Sequence, residues 1–277
     1  MARPNPPFDT TALAHLAREI GAELLQMQRA AADDLEGLVL HRKGDADLVT
    51  RADLHSHRRL TDAFAALAPG VPTVFEESDR HDIPNGPFLV CDELDGTINF
   101  SRGRPEWGVS LAYVDGGPRF AAIYLPAPDL LIEATRGEGC RLNGRPARLS
   151  TRQSLRACVA GAELNPHHDT ELRRRYVDPL TLRTLTTRVQ ACAVAAAADL
   201  LQGLTDCYLN CRGAKIWDFA ATALAITEAG GIALDLAGAP LRWDAVEMGA
   251  FFAANRALAD EAQGLWAEAA GPAKLAP

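Results

Sequence analysis

The residue types best suited to chemistry in this chain are carboxylates, and they fall in four clusters. The densest is Val90-Cys-Asp92-Glu-Leu-Asp95-Gly-Thr97-Ile-Asn-Phe100. An apolar run ends there in two acids three residues apart, and Gly96 and Thr97 then open a short helical stretch. Asp92 and Asp95 can converge on a hard cation, and the N–H groups after Gly96 can receive a phosphate. A capped turn is the competing reading, because Asp and Gly after a strand are common turn formers.

The other three clusters each have two readings. Glu76-Glu77 directly follows the apolar run at residues 71–75, as cation ligands or as a solvated strand end. Asp47-Leu-Val-Thr50-Arg-Ala-Asp53 sets Asp53 near a helix start, where an acid also favours the helix dipole. Trp217-Asp218-Phe219-Ala220-Ala221 puts Asp218 at another helix start, where N-capping is the plain role. Nothing near these clusters looks like a Ser-His-Asp arrangement, and the seven histidines form no ligand spacing. His167-His168, flanked by Pro166 and Asp169, reads as a solvated loop.

The elements that must position these acids follow from periodicity. Leu13, Leu16, Ile20, Leu24 and Met27 recur at helical spacing over residues 9–29, behind a cap candidate at Asp9, Thr10 and Thr11. A second helix is expected over 50–68, with Leu54, Leu60, Phe64 and Leu67 inward, broken by Pro69-Gly70. Residues 71–75 and 88–91 read as short buried strands, and 108–114, 119–125 and 130–134 as a meander. After Ser150 strands and helices alternate. Strands are expected at 157–161, 205–209, 232–234 and 249–253, and helices at 189–203, 217–229 and 258–269. Gly230-Gly231 is a fitting helix stop. The pattern gives an α/β chain of two lobes, residues 1–150 and 151–277, with Asp218 in the second.

Composition bounds the function. At 277 residues, 48% hydrophobic and 23% charged, the chain is an ordinary globular protein, which excludes disordered and fibrous classes. Its 28 basic and 36 acidic residues leave a formal charge of −8, which argues against general nucleic-acid or anionic-membrane binding. A phosphorylated small molecule remains open if positive charge is supplied locally. No run free of charged side chains approaches the roughly 20 residues of a membrane span, and the N-terminus has no apolar signal core. The six cysteines are scattered without a CxxC pair, so buried thiols in a reduced, cytoplasmic protein are expected.

In order, the four clusters read DLVTxAD, EES, DxLDGTxNF and WDxAA…EAGG. This order resembles the inositol monophosphatase family, the magnesium-dependent, lithium-sensitive sugar-phosphate phosphatases related to fructose-bisphosphatases and phosphoadenosine-phosphate phosphatases. The resemblance runs from about Lys43 to Gly231, and the DxLDGTxNF and WDxAA…EAGG pair is highly specific. It implies a layered αβαβα sandwich with mixed sheets, usually a homodimer. It implies that Glu76, Asp92 and the Leu94 carbonyl hold a first Mg²⁺, and that Asp92, Asp95 and Asp218 hold a second. A third, weaker ion near Glu76 belongs to the same picture. Thr97, paired with Asp53, would orient and deprotonate the attacking water, and the N–H groups of Gly96 and Thr97 would bind the phosphate.

The chemistry explains those residue types. Phosphate-monoester hydrolysis has a very high uncatalysed barrier, and help comes chiefly from positioning and charge neutralisation. Two Mg²⁺ about 3.5–4 Å apart can activate water and stabilise the leaving oxygen. Mg²⁺ takes hard oxygen ligands, so Asp and Glu serve where His or Cys would not.

The chain departs from the family pattern in four places. Glu93 stands where the family commonly has a proline that stiffens the metal loop; Glu93 either loosens it or adds a supporting acid. Phe75 replaces the glycine before Glu76, where it is expected to press on the entrance of the metal site. Ala191-Cys192-Ala193 stands where the family often has Gly-Ser/Thr-Ala against the sugar. Cys211 stands where inositol-cleaving members carry a glutamate, and a thiol is a poor acceptor for a ring hydroxyl, which argues against myo-inositol 1-phosphate as the preferred substrate. Arg212 and Lys215 in the same segment either favour a second anionic group on the substrate or are solvated surface cations.

The leading expectation is a Mg²⁺-dependent phosphoric monoester hydrolase acting on a small phosphorylated polyol, cyclitol or sugar. A 3′-phosphoadenosine-type nucleotidase or sugar bisphosphatase is the alternative within the enzyme class. A non-catalytic relative that binds phosphometabolites is the alternative outside it.

Overall fold

The structure is a computed structural model and describes residues 6–44, 47–164 and 170–269. His167-His168 lies outside the described residues. Helix α1 (Thr10–Ala30) starts where the Asp9 carboxylate accepts the Thr11 N–H at 2.9 Å, and it buries Leu13, Leu16, Ile20 and Leu24 on one face. A hairpin of β1 (Val39–Gly44) and β2 (Asp47–Thr50) leads into α2 (Arg51–Leu67). The inward face of α2 is Ala52, Asp53, Ser56, Leu60 and Phe64, while Leu54 and Leu67 are only half-buried. One polar residue on that face, Asp53, meets Thr97.

Both helices cover one face of a seven-stranded sheet. Its strands run in chain order: β3 (Thr73–Phe75), β4 (Phe88–Asp95), β5 (Gly108–Val114), β6 (Pro118–Leu125), β7 (Leu130–Thr135), β8 (Gly139–Leu142) and β9 (Arg145–Pro146). Every pairing is antiparallel except β3 with β4, which is parallel. A four-residue helix α3 (Thr97–Phe100) follows β4. Strands β4 and β5 are buried along their whole length, as befits a sheet covered on both sides.

The second sheet is ordered β11-β10-β12-β14-β13. It draws on β10 (Val159–Ala162), β11 (Thr186–Arg188), β12 (Cys207–Lys215), β13 (Ile232–Leu234) and β14 (Glu247–Ala253), and it mixes parallel and antiparallel pairs. Between β10 and β11 lie α4 (Thr170–Leu172), a π-helical stretch and α5 (Asp178–Arg183). Helices α6 (Ala193–Leu201) and α7 (Ile216–Glu228) pack between the sheets, and α8 (Arg256–Ala269) packs with α5 outside the second. The layers are therefore helix, sheet, helix, sheet, helix. Helix α7 is apolar almost all round, from Ile216 and Phe219 to Leu224 and Ile226, because a sheet covers it on each side. Each such fully buried large side chain contributes about 1.5–3 kcal/mol relative to exposure.

Several expected boundaries move: the strand expected at 205–209 runs as β12 from Cys207 to Lys215, and two further shifts bear on chemistry. Strand β4 runs through Asp95, with a register break between Asp92 and Asp95 against β5, so the acids sit on the strand and not after it. The helix expected over 189–203 begins only at Ala193. The preceding residues are held out of helical form by tertiary contacts: Asn99 Nδ2 donates to the Gln190 carbonyl at 2.7 Å, and Ala191 sits at φ 51°. All six cysteines are buried free thiols. Among the described residues, no helix is long and apolar enough to cross a membrane.

Candidate metal and phosphate site

The site forms where β4, α3, α2 and α7 converge. Strand β4 delivers Asp92 and Asp95, and α7 delivers Asp218 from its first turn. Ligand oxygens of these three carboxylates all lie within 4.8 Å of one another. Asp218 is not the N-cap of α7. It is the third residue of the helix, and its carboxylate reaches back to accept the Lys215 N–H at 2.5 Å. That bond leaves the rest of the carboxylate turned to Asp92 and Asp95. Asp95 is fixed from the other side: its Oδ2 accepts the Val194 N–H at 2.6 Å and lies 3.3 Å from the Cys192 thiol. The start of α6 therefore grips Asp95.

Between the strand and α3, Gly96 takes φ 91°, and a Cβ there would meet the Glu106 carbonyl at 2.7 Å. Only glycine fits both conditions. Past it, the Thr97 hydroxyl lies 3.1 Å from Asp53 Oδ1 and 3.0 Å from the Leu94 carbonyl. Asp53 is the third residue of α2, and its Oδ2 accepts the Thr50 N–H at 2.7 Å in a capping box. One Asp53 oxygen thus serves the helix cap and the other faces the Thr97 hydroxyl.

Glu76 and Glu77 begin the turn after β3. Their backbone N–H groups donate to the Glu93 carboxylate at 3.1 and 3.3 Å. Glu93 is 1% exposed, and His57 Nδ1 lies 2.7 Å from it. The Glu93 carboxylate thus holds the Glu76–Glu77 turn. Phe75 does not press on the site entrance: it is buried against Phe64 and edge-on to His57.

A cavity of about 230 Å³ adjoins the carboxylates. Asp95 and Asp218 form one wall, Ala191, Cys192 and Ala193 another, and Glu163, Asn210 and Arg212 are among the other lining residues. Cys211 is not part of the lining; it is a buried member of the apolar core. The Lys215 ammonium is paired with Glu247 on the adjoining strand β14. Sequence reasoning passed over Glu163 and Asn210. The signal for Glu163 was an acid just past an apolar strand, the same signal that marked Glu76.

Electrostatics set the demand for a cation. Burial, then the charges of Glu76, Asp95 and Asp218, hold the Asp92 carboxyl well above the usual range. Burial likewise pushes Asp53 and Asp218 up to about 7 and Asp95 up to about 6. Glu163 rises to about 7, again by burial first. Several crowded, buried carboxylates with hard oxygen donors fit a divalent cation such as Mg²⁺, which would supply the counter-charge.

Comparison with known proteins agrees with this geometry. The model of the inositol monophosphatase family matches residues 7–271. The fructose-1,6-bisphosphatase/inositol-1-monophosphatase of Thermotoga maritima is 29% identical over 229 residues, 80% of this chain and 83% of that protein. The putative Nus factor SuhB of Neisseria meningitidis serogroup B is 32% identical over 237 residues, 84% of this chain and 88% of that one. Among solved structures, the extragenic suppressor protein suhB of Bartonella henselae superposes with a TM-score of 0.83 at 25% identity, over 92% of this chain and 97% of that one. The Thermotoga maritima IMPase superposes at 0.80 with 26% identity, over 94% and 96%.

Proposed function

The chain belongs to the inositol monophosphatase family, and we propose on that footing that it is a Mg²⁺-dependent phosphatase of a small phosphorylated polyol, cyclitol or sugar. The observation that carries this reading is the convergence of Asp92, Asp95 and Asp218 within 4.8 Å, beside the Thr97–Asp53 pair. In this reading Glu76, Asp92 and the Leu94 carbonyl would hold one ion, Asp92, Asp95 and Asp218 would hold a second, and a weaker third would sit near Glu76. When bound, the metal supplies charge neutralisation for the phosphate dianion and activation of the attacking water.

The residues of the chain do the rest. Thr97 orients the water and passes the water's proton toward Asp53, whose Oδ1 lies 3.1 Å from the Thr97 hydroxyl. The N–H groups of Gly96 and Thr97 receive a phosphate oxygen, a role suited to the left-handed turn at Gly96. Ala191, Cys192 and Ala193 wall the leaving group, and Glu163 and Asn210 offer it hydrogen bonds. The division into lobes 1–150 and 151–277, a homodimer, lithium sensitivity and a cytoplasmic setting belong to the same proposal.

Arg212 favours a second reading within the enzyme class. It lines the cavity, where a guanidinium suits a second anionic group, so a bisphosphate or 3′-phosphoadenosine-type substrate fits this position. The relatives named Nus factors raise a non-catalytic reading. The Thr97–Asp53 pair weighs against it, because binding alone has no use for a proton acceptor beside the metal ligands.

Hydrolysis in heavy-oxygen water tests the chemistry. Attack of water on phosphorus puts the label in the released phosphate; label in the released alcohol would contradict the proposed role of Thr97 and Asp53.

A further inference from the structure

We propose that Glu93, anchored by His57, is the positioning residue that fixes the Glu76–Glu77 turn and thereby sets how tightly Mg²⁺ is held; this rests on the metal reading above. Strand β3 pairs with β4 only as far as Phe75 opposite Cys91. Glu76 N–H still touches the Cys91 carbonyl, at a long 3.3 Å, and Glu77 has left the ladder. The Glu93 side chain takes over where the strand backbone stops. Its Oε2 accepts the Glu76 N–H at 3.1 Å and its Oε1 the Glu77 N–H at 3.3 Å. Two adjacent amides gripped by one carboxylate have little freedom, so the Glu76 side chain leaves the turn from a fixed point.

A carboxylate 1% exposed must be well supplied with donors to be tolerated. His57 supplies the third, with Nδ1 2.7 Å from Oε1. The ring is itself held, edge-on to Phe75 with centroids 4.7 Å apart. Ser56 Oγ donates to the Glu93 carbonyl at 2.8 Å and pins the backbone beneath. The hydrogen bond to Glu93 also raises the His57 pKa.

The placement on α2 is informative. His57 follows Asp53 by one helical turn, so both lie on the same face. One meets Thr97 and the other meets Glu93. A single rigid helix thus registers the two halves of the site against each other. A flexible Glu93 loop would place Glu76 loosely; the pair does by hydrogen bonding what a rigid residue at 93 would do by covalent geometry.

The test is direct Mg²⁺ binding by titration calorimetry on the full chain, with the Mg²⁺ dependence of phosphate release beside it. Glu93→Ala is expected to weaken Mg²⁺ binding by about 10-fold or more, the usual scale for partners that orient a metal ligand. The rate at saturating Mg²⁺ is expected to return to within about threefold of wild type, a split that general unfolding does not produce. His57→Ala is expected to weaken binding less. The double variant is expected to lose no more than Glu93→Ala alone, because the residues act as one unit. Mg²⁺ affinity within about twofold of wild type in folded Glu93→Ala overturns the proposal, as do losses in the double variant that simply multiply. If Glu93→Ala does not fold, Glu93→Gln and His57→Ala carry the test, and unchanged affinity in both overturns it. If the wild type binds no Mg²⁺, or Glu76→Gln binds it equally well, the metal reading itself has failed and the proposal falls with it.

Discussion

The Thr97 hydroxyl lies 3.1 Å from Asp53 Oδ1, although 44 residues separate them in the chain. The contact joins the start of α3, two residues past Asp95, to the first turn of α2. Thr97→Val keeps the shape and removes the hydroxyl. We expect kcat to fall by about 10²–10⁴, the range for a lost acid–base partner, with Mg²⁺ affinity changed by less than about threefold. Steady-state kinetics across a Mg²⁺ titration decides this, and equal loss in both quantities would contradict the assigned role.

Asp95→Asn removes one charge from the cluster while leaving a side-chain oxygen for the Val194 N–H. Turnover should collapse. The metal-free protein should be no less stable than wild type, because like charges at Asp92, Asp95 and Asp218 are crowded together without a counter-ion. The rise in Tm that Mg²⁺ gives the wild type should shrink. Full activity in this variant would end the assignment of Asp95 as a ligand.

The raised carboxyl pKa values predict an inverted pH dependence for the metal-free protein. Asp53, Asp95 and Asp218 go from 3.8 to about 7, 6 and 7 on folding. The folded state therefore holds protons that the unfolded chain releases. Stability from these groups is complete below about pH 4 and is lost as the pH rises through 6 to 7. A cation that binds only the folded state restores it, by about 2.7 kcal/mol at a hundredfold excess over Kd. Thermal melts at about pH 5 and 8 should show the Mg²⁺-induced rise in Tm growing with pH. A larger rise at the lower pH would contradict the electrostatic account.

Arg212 and Lys215 are separable. Arg212 lines the cavity, whereas the Lys215 ammonium is committed to Glu247. Arg212→Ala should reduce the preference for substrates with a second anionic group, and Lys215→Ala should leave that preference within about twofold. Comparing kcat/KM for mono- and bisphosphates in each variant measures it. If neither variant shifts the ratio, a second anionic group is not read by this segment.

Much of this architecture was legible in the sequence because its signals are local. The Asp9 cap and the leucine spacing predicted α1 nearly to the residue, and the turn residues marked β5, β6 and β7. Asp92, Asp95 and Asp218 stood out because acids beside apolar runs are unusual. What escaped detection depends on contacts between distant segments. The helix at 189–203 loses its first turn because Asn99 claims the Gln190 carbonyl, and no periodicity contains that fact. Glu93 looked like a departure from a pattern, and its value as a support appears only when α2 brings His57 to it. Cys211, expected on the substrate side, turns into the core because its neighbours Asn210 and Arg212 take the cavity side of β12.

The central claim is that the carboxylate cluster with its metal hydrolyses a phosphate monoester. Its most direct test is inorganic-phosphate release from a panel of inositol 1-phosphate, histidinol phosphate, fructose 1,6-bisphosphate, sugar monophosphates and 3′-phosphoadenosine 5′-phosphate, in Mg²⁺ and again in EDTA. The account predicts release from at least one of these that depends on Mg²⁺, disappears in EDTA and is inhibited by Li⁺. Release that persists unchanged in EDTA, or Mg²⁺ binding with no release from any of them, would contradict it.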